Sequence, residues 1–421
     1  MRRRKKTVGL MRGGAVLVLA MFLMVLLLVT GGGLLALGQT ARISSIRMAG
    51  EAGAQAAADA GLTKAIWEMN RRLKDGEWDG RFLVVDDEGE VLGAYDCRLP
   101  NCDATYSYEI VADSTSGAGG FTIACTGRSG VAEKTVYATV ERRGPFEFGV
   151  FTCSGMVLKP NTVVDGYDSD AGPYGSAPRV EVQIGTNSTE AGSIIMGKEA
   201  VVYGDVVVGA CGDPGVVISA SQATITGDQY ALSEEVELPS VTVPPAVWSL
   251  PAGPKIDKKK PVTLTSSARY PSINLGRGQS LLVDGDVTLY VTGDVSLSNS
   301  AEIRVNDANP EASLRLYLGG NLYCKNGGTL NNLTKDPKRL KIYALDSCTN
   351  MSFATAGVFY GAIYAPNTPI YIKSALEIYG SVVARSFTQG ATSNFHYDAS
   401  LAKDTNPDVG ALRFSVVRWW E

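Results

Sequence analysis

Three sets of residues in this 421-residue chain are of types that do chemistry. Asp284 and Asp286 lie two positions apart, and side chains two apart on a strand share a face. A carboxylate pair on an exposed sheet is what cleavage of a polysaccharide requires, one group as acid and the other as base or nucleophile. Both flank Gly285, and turn formation is the simpler account of Asp-Gly-Asp. The one histidine, His396, sits in Phe-His-Tyr-Asp; it excludes multi-histidine metal centres and leaves a Ser-His-Asp triad a single candidate base. Its aromatic neighbours favour a packed residue that caps the end of the fold. Asp165, Asp168 and Asp170 offer the hard oxygens that calcium takes, but their spacing departs from the EF-hand, and a hydrated turn accounts for them. No catalytic residue, cofactor or metal is therefore expected, and the chain is not expected to be an enzyme.

Seven cysteines, Cys97, Cys102, Cys125, Cys153, Cys211, Cys324 and Cys348, are an odd number, so at least one is unpaired or bonded between molecules. Cys97 and Cys102 flank the turn-like Leu99, Pro100 and Asn101 and are the expected local disulfide; Cys324 with Cys348 is the weaker pairing. Close-set Cys and His pairs of the kind that hold zinc do not occur.

The elements that carry these residues begin at the N-terminus. Arg2, Arg3, Arg4, Lys5, Lys6 and Arg12 precede Gly13, Gly14 and an apolar run from Ala15 to Leu37 that contains no charge. Roughly 20 apolar residues suffice for a helix to cross the hydrocarbon of a bilayer. The cluster of six basic residues on the N-terminal side keeps that end cytoplasmic and puts the rest outside. Gly31, Gly32 and Gly33 weaken the helix, which membrane spans tolerate. From Thr40 to Lys74 there is no proline, and small or apolar residues recur at spacings near three and four, so the helix is expected to continue as a stalk and stop near Asp75 and Gly76.

AGEAGAQAAADAGLTKAIWEMN, from Ala49 to Asn70, together with the basic leader, the glycine pair and the apolar run, resembles the N-terminal domain of PilX-type minor pilins and type IV pilus assembly proteins. Ala57, Ala58, Asp59, Ala60 and Gly61 match that family's Ala-Ala-Glu-Ala-Gly, with Asp in place of the commoner Glu. The resemblance implies cleavage by a prepilin peptidase, with Gly14 before Ala15 as the processing site and Gly13 next. It also implies partners: other pilin-like subunits through the helix, the peptidase and the inner membrane. Most major pilins carry Glu five residues into the mature chain; cutting after Gly14 puts Leu19 there. An unpaired ammonium in an oily filament core costs several kcal/mol, which suits a tip or priming subunit better than a repeating shaft subunit. The alternative is an uncleaved, plain anchor.

The chain has a formal net charge of −4, and with six basic residues before Ala15 the exported remainder is more acidic still, which argues against nucleic-acid partners. Between Phe82 and Arg143 alternating segments and glycine-rich turns predict a small antiparallel sheet, with Asp86, Asp87, Glu88 and Glu90 as a solvated hairpin tip. From Gly144 onward short β-branched runs, punctuated by Gly-Asp pairs at Gly204, Gly227, Gly285 and Gly293, predict an irregular β-solenoid without a strict period; a jelly roll or sandwich is the alternative. A Pro-rich stretch interrupts the strands and, since proline blocks ladder pairing, is expected to run as an extended excursion over the solenoid, its run Lys258, Lys259 and Lys260 solvated. The C-terminal Trp419 and Trp420 are expected to dock on the solenoid as a closing strand.

VDGYDSDAGPYG from Val164 to Gly175, GVFYGAIYAP from Gly357 to Pro366, IYGSVVARSF from Ile378 to Phe387 and FHYDASL from Phe395 to Leu401 resemble an uncharacterised β-helical domain found behind PilX-type N-termini in bacterial envelope proteins. That family implies architecture and no chemistry.

The expected fold is thus mainly β with a long N-terminal α-helix: a pilin-like helix and small antiparallel sheet, then an irregular, right-handed β-helix-like solenoid. The expected divisions are a leader (1–14), a transmembrane helix (15–37), a stalk (38–76), a small sheet (77–143), the solenoid (144–401) with its excursion (238–261), and a C-terminal segment (402–421). The expected function is a pilin-like minor, assembly or priming subunit of a type IV pilus or pseudopilus that displays the solenoid for assembly or adhesion. The alternatives are a membrane-anchored scaffold that self-assembles through its solenoid and an envelope polysaccharide-degrading enzyme.

Overall fold

The computed structural model describes residues 13–74, 84–86, 89–91, 93–113, 120–256, 260–403 and 413–421. The basic leader through Arg12, the helix stop at Asp75 and Gly76, the hairpin-tip residues Asp87 and Glu88, and Lys258 and Lys259 lie outside them.

One helix, Gly13–Lys74, runs for 62 residues without a break, a length of roughly 90 Å at 1.5 Å per residue. Its two halves meet different surroundings. Leu17 through Leu37 project into open space, with Leu23, the most covered of the large apolar ones, still 51% exposed. Beyond Gly50 the helix beds into a five-stranded antiparallel sheet, burying Ala54, Ala57, Ala58, Leu62, Ala65 and Met69. The alanine-rich composition has a packing cause here. Gly127 on the sheet lies so close that a Cβ on it would fall 2.1 Å from Ala54 O, and one on Gly61 would fall 2.4 Å from Cys125 Sγ. Only small residues on both surfaces allow helix backbone and strand to approach this closely.

The sheet runs in the order Gly93–Arg98, Thr105–Asp113, Gly120–Ser129, Ala132–Arg143, Arg413–Trp420. Its last member corrects the sequence expectation. The C-terminal strand does not close the solenoid; it returns to the small sheet, pairing Phe414 with Arg142 and Trp420 with Tyr137. Asn70 fixes the return by donating from Nδ2 to Phe414 O and accepting from Phe414 N at 2.6 Å. Phe414 then packs edge-on against Phe121 in the helix–sheet core.

The remainder is a parallel β-solenoid whose coils each place strands on three faces, with a core of Val, Ile, Leu and Phe. Alternation does this work: in Ser313–Leu318, Leu314, Leu316 and Leu318 point inward, and Arg315 and Tyr317 point out. The coils are not stacked in chain order. The chain enters mid-solenoid at Val150–Leu158 and winds outward through Ile194–Met196 to Ile218–Ser219 at one end. It then crosses to the other end and winds back from Val262–Leu264 and Ala268–Tyr270 until Leu376–Gln389 pairs with the entry strand. Phe395–Asp398 pairs with both Leu376–Gln389 and Val163–Tyr167, so one central coil is composite, built from both halves of the chain.

The crossing segment is the Pro-rich stretch. It lies along the second face, where Val241 and Val247 cover an outward row of Tyr290, Tyr317, Tyr343 and Tyr364. Tyr364 donates its hydroxyl to Pro239 O at 2.8 Å. Beyond the short helix Pro245–Trp248, Arg269 N donates to Pro251 O, which extends the ladder by one bridge at the far end. Apart from that bridge, an extended strap can follow a face made of rings.

Candidate functional site

Two regions merit consideration: the projecting half of the helix and the seam where the half-solenoids meet. The helix qualifies, by length and composition, as long and apolar enough to cross a membrane, with a mean hydropathy of 2.5 in its most apolar window and none of that window buried. Gly14 and Ala15 lie in its first turns. A surface of leucines, valines and methionines this large has no stable place in water at about 25 cal/mol per Å².

At the seam, the structure brings together two residues that the sequence treated separately. His396 on Phe395–Asp398 and Asp165 on Val163–Tyr167 are register partners, and His396 Nδ1 lies 2.6 Å from Asp165 Oδ1. On the other side His396 Nε2 lies 3.2 Å from Glu377 Oε1. Both residues of the central pair are buried, Asp165 completely. Asp165 also accepts from the Tyr174 hydroxyl at 2.8 Å and pairs with Arg179 Nε at 3.1 Å. Both Tyr174 and Arg179 come from the loop between the strands Val163–Tyr167 and Val182–Thr186, which folds down over the first face, the one that carries Asp165, Glu377 and His396. Tyr360, Tyr379 and His396 stack along this row in adjacent rungs, at 4.5 Å and then 4.6 Å between ring centres, with Tyr174 lying over the last two. Burial and the bond to Asp165 push the Tyr174 hydroxyl up to about 12.

This arrangement is a clasp. His396 has carboxylates on both ring nitrogens, and among the described residues no hydroxyl nucleophile is bonded to it, so the partners of a Ser-His-Asp relay are not assembled around it there. Around it, Gln389 accepts from Thr162 Oγ1 and Lys159 N, and Asn394 accepts from Val163 N, joining the same two halves.

The three aspartates of the 165–170 segment separate into two networks. Asp165 faces the histidine, whereas Asp170 meets Lys338 Nζ at 2.5 Å and Lys403 at 3.9 Å, and Asp168 meets Lys403 at 4.0 Å. Lysine displaces a cation from such a loop, and among the described residues no group of three His, Cys, Asp or Glu is placed to hold a metal. Asp284 and Asp286 do not share a strand face as the sequence suggested. Asp284 lies in the bend between Ser280–Val283 and Asp286–Val291 and accepts from Asn306 and Asn309, whose bonds hold its carboxyl below the usual range. Asp286 accepts from Ser313 and Arg315 on the next coil; burial raises its carboxyl, but these two partners outweigh it and the net shift is downward. Both act as rungs of coil-to-coil ladders. All seven cysteines, Cys97 and Cys102 among them, are free thiols in the structure.

The seam was not visible from spacing, because its partners are 231 residues apart. The one available signal was compositional: two of the four resemblance segments carry Asp165 and His396.

Residues 272–404 match a family model described as Domain of unknown function (DUF7305). The match takes in most of the half-solenoid that winds back, beyond its first two strands, with Glu377 and His396 but without Asp165, and covers less than half of the chain. No curated protein matches. The competence-associated pilin ComZ from Thermus thermophilus is a structural neighbour at 14% identity, covering 88% of this chain and 97% of that one, with a TM-score of 0.23. The Shewanella frigidimarina ice-binding protein_1 DUF3494 domain is another, also at 14% identity and a TM-score of 0.23, covering 60% of this chain and 94% of that one. At that score neither carries an argument.

Proposed function

We propose that this chain is a pilin-like subunit, anchored in the inner membrane by its N-terminal helix and displaying the solenoid outside the cytoplasm for assembly or adhesion. The observation that supports it is the division of one unbroken helix into a bare apolar half and a half bedded in an antiparallel sheet. A bare half of this kind suits lipid first and the helices of sibling subunits afterwards, the two environments that accept apolar surface without water. The sheet and solenoid then act as head and passenger. With Leu19 at the fifth mature position and so large a passenger, a tip or priming role suits the chain better than a shaft role. The solenoid is proposed as a display element, not as a catalyst.

N-terminal sequencing of the protein recovered from its native membrane tests the processing step. The proposal expects an amine at Ala15, and its loss when Gly14→Val blocks the peptidase. An intact leader on the assembled protein would replace the pilin pathway with a plain anchor.

A further inference from the structure

We propose that the outward row of the third solenoid face is a binding surface for an extended, neutral, β-1,4-linked glycan. This goes beyond the anchoring role and does not depend on it. The three faces differ in what they present. The second face lies beneath the Pro-rich strap, and the first carries Glu377, Asp165 and Arg304 and is partly roofed by the loop bearing Tyr174. On the third face, Asn274, Ser296, Tyr323, Ser352, Tyr371 and Thr388 stand in register on successive coils, each between two inward-pointing neighbours. The row is open, with Asn274 and Tyr371 exposed and Ser296, Tyr323 and Thr388 half-buried.

Its chemistry selects the ligand. The row itself carries no charge, with Lys325 and Lys373 standing two residues beyond its tyrosines, and its hydroxyl and amide groups can both donate to and accept from sugar hydroxyls. Tyr323 and Tyr371 are separated by the single rung of Ser352, which is buried between them. Two strand spacings put the rings about 9.5 Å apart, close to the slightly longer repeat of a disaccharide in an extended β-1,4-linked chain. Every second sugar would therefore lay its apolar ring face on a tyrosine while the intervening one lies over serine. Because parallel coils fix the spacing through backbone hydrogen bonds, the surface is formed before the ligand arrives and little ordering entropy is lost on binding.

The test uses the purified full-length protein in detergent, with amorphous cellulose and chitin as probes in a sedimentation assay. The proposal expects retention by at least one of them, a loss of at least about tenfold in affinity for the Tyr323→Ala/Tyr371→Ala double variant, and a comparable loss for Thr388→Arg, which leaves both rings in place and adds a charge. Trp419→Ala, on the small sheet, should bind as the parent does. Retention by neither polysaccharide, adsorption to ice crystals in their place, or undiminished binding by folded double variant would overturn it. None of these outcomes depends on whether the helix enters a filament, so the two proposals fail separately.

Discussion

His396 Nδ1 and Asp165 Oδ1 lie 2.6 Å apart across 231 residues of chain, and this contact joins the two half-solenoids at their composite coil. The ring can donate to Asp165 and Glu377 together only when both nitrogens carry protons; with one ring proton it serves one carboxylate. Asp165 keeps Tyr174 and Arg179 as further donors, so it is the hub of the clasp, and His396 is the link across the seam.

Asp165→Ala should therefore be among the most damaging single substitutions in the solenoid. Removing the carboxylate leaves the His396 ring, the Tyr174 hydroxyl and the Arg179 guanidinium without their shared acceptor, and each buried polar group stranded in this way costs about 1–3 kcal/mol. Denaturant unfolding monitored on the Tyr cluster checks this. A midpoint unchanged from the parent would show that the clasp contributes nothing.

At the helix–sheet contact, Gly127→Ala places a methyl 2.1 Å from Ala54 O, a clash with backbone that no rotamer relieves. A loss of about 2 kcal/mol is expected from overpacking of this kind. Amide exchange at Ala54 through Ala58 reports it, faster in the variant if the helix has been levered off the sheet.

Much of this architecture was legible from the amino-acid order. The uncharged run and the proline-free stretch gave the helix, and β-branched runs between Gly and Asp gave the solenoid strands near their observed positions. What periodicity could not convey was connectivity. An apolar segment such as Arg413–Trp420 reads as a strand without naming its partner, and the small sheet won because Asn70 and Phe121 hold Phe414 there. Coil order was hidden for the same reason, since parallel coils look alike locally and only the register tells which pair. The Asp284–Asp286 expectation failed on local geometry: the strand ends at Val283, so the alternation rule did not apply across Gly285.

Thiol chemistry should separate the cysteines by burial. The thiols of Cys125 and Cys324 are pushed up to about 12 by burial, whereas Cys102 and Cys211 are exposed. Maleimide at a pH of about 8 should label Cys102 and Cys211 and spare Cys125 and Cys324 until the protein is unfolded. Peptide mapping by mass reads this directly; failure of Cys97 and Cys102 to label even after unfolding, unless reduced first, would instead establish the local disulfide.

The Asp170–Lys338 pair predicts a pH dependence of definite sign. The hydrogen bond from Lys338 holds the Asp170 carboxyl below its usual range. A carboxyl lowered on folding stabilises the native state above its unfolded value of about 3.9, and that contribution fades as pH falls through the folded value. Thermal midpoints taken from a pH of about 5 to about 2 should fall less steeply for Asp170→Asn than for the parent. Parallel curves would remove the pair from the acid response.

The central claim is that the bare half of the helix serves lipid and sibling helices, and photo-crosslinking tests it most directly. With a benzophenone amino acid at Leu23 or Leu27 of the full-length protein in its native cells, the account predicts adducts to lipid and to the N-terminal helices of pilin-like subunits. Recovery of the uncrosslinked protein from the cytosol, with neither adduct, would contradict it.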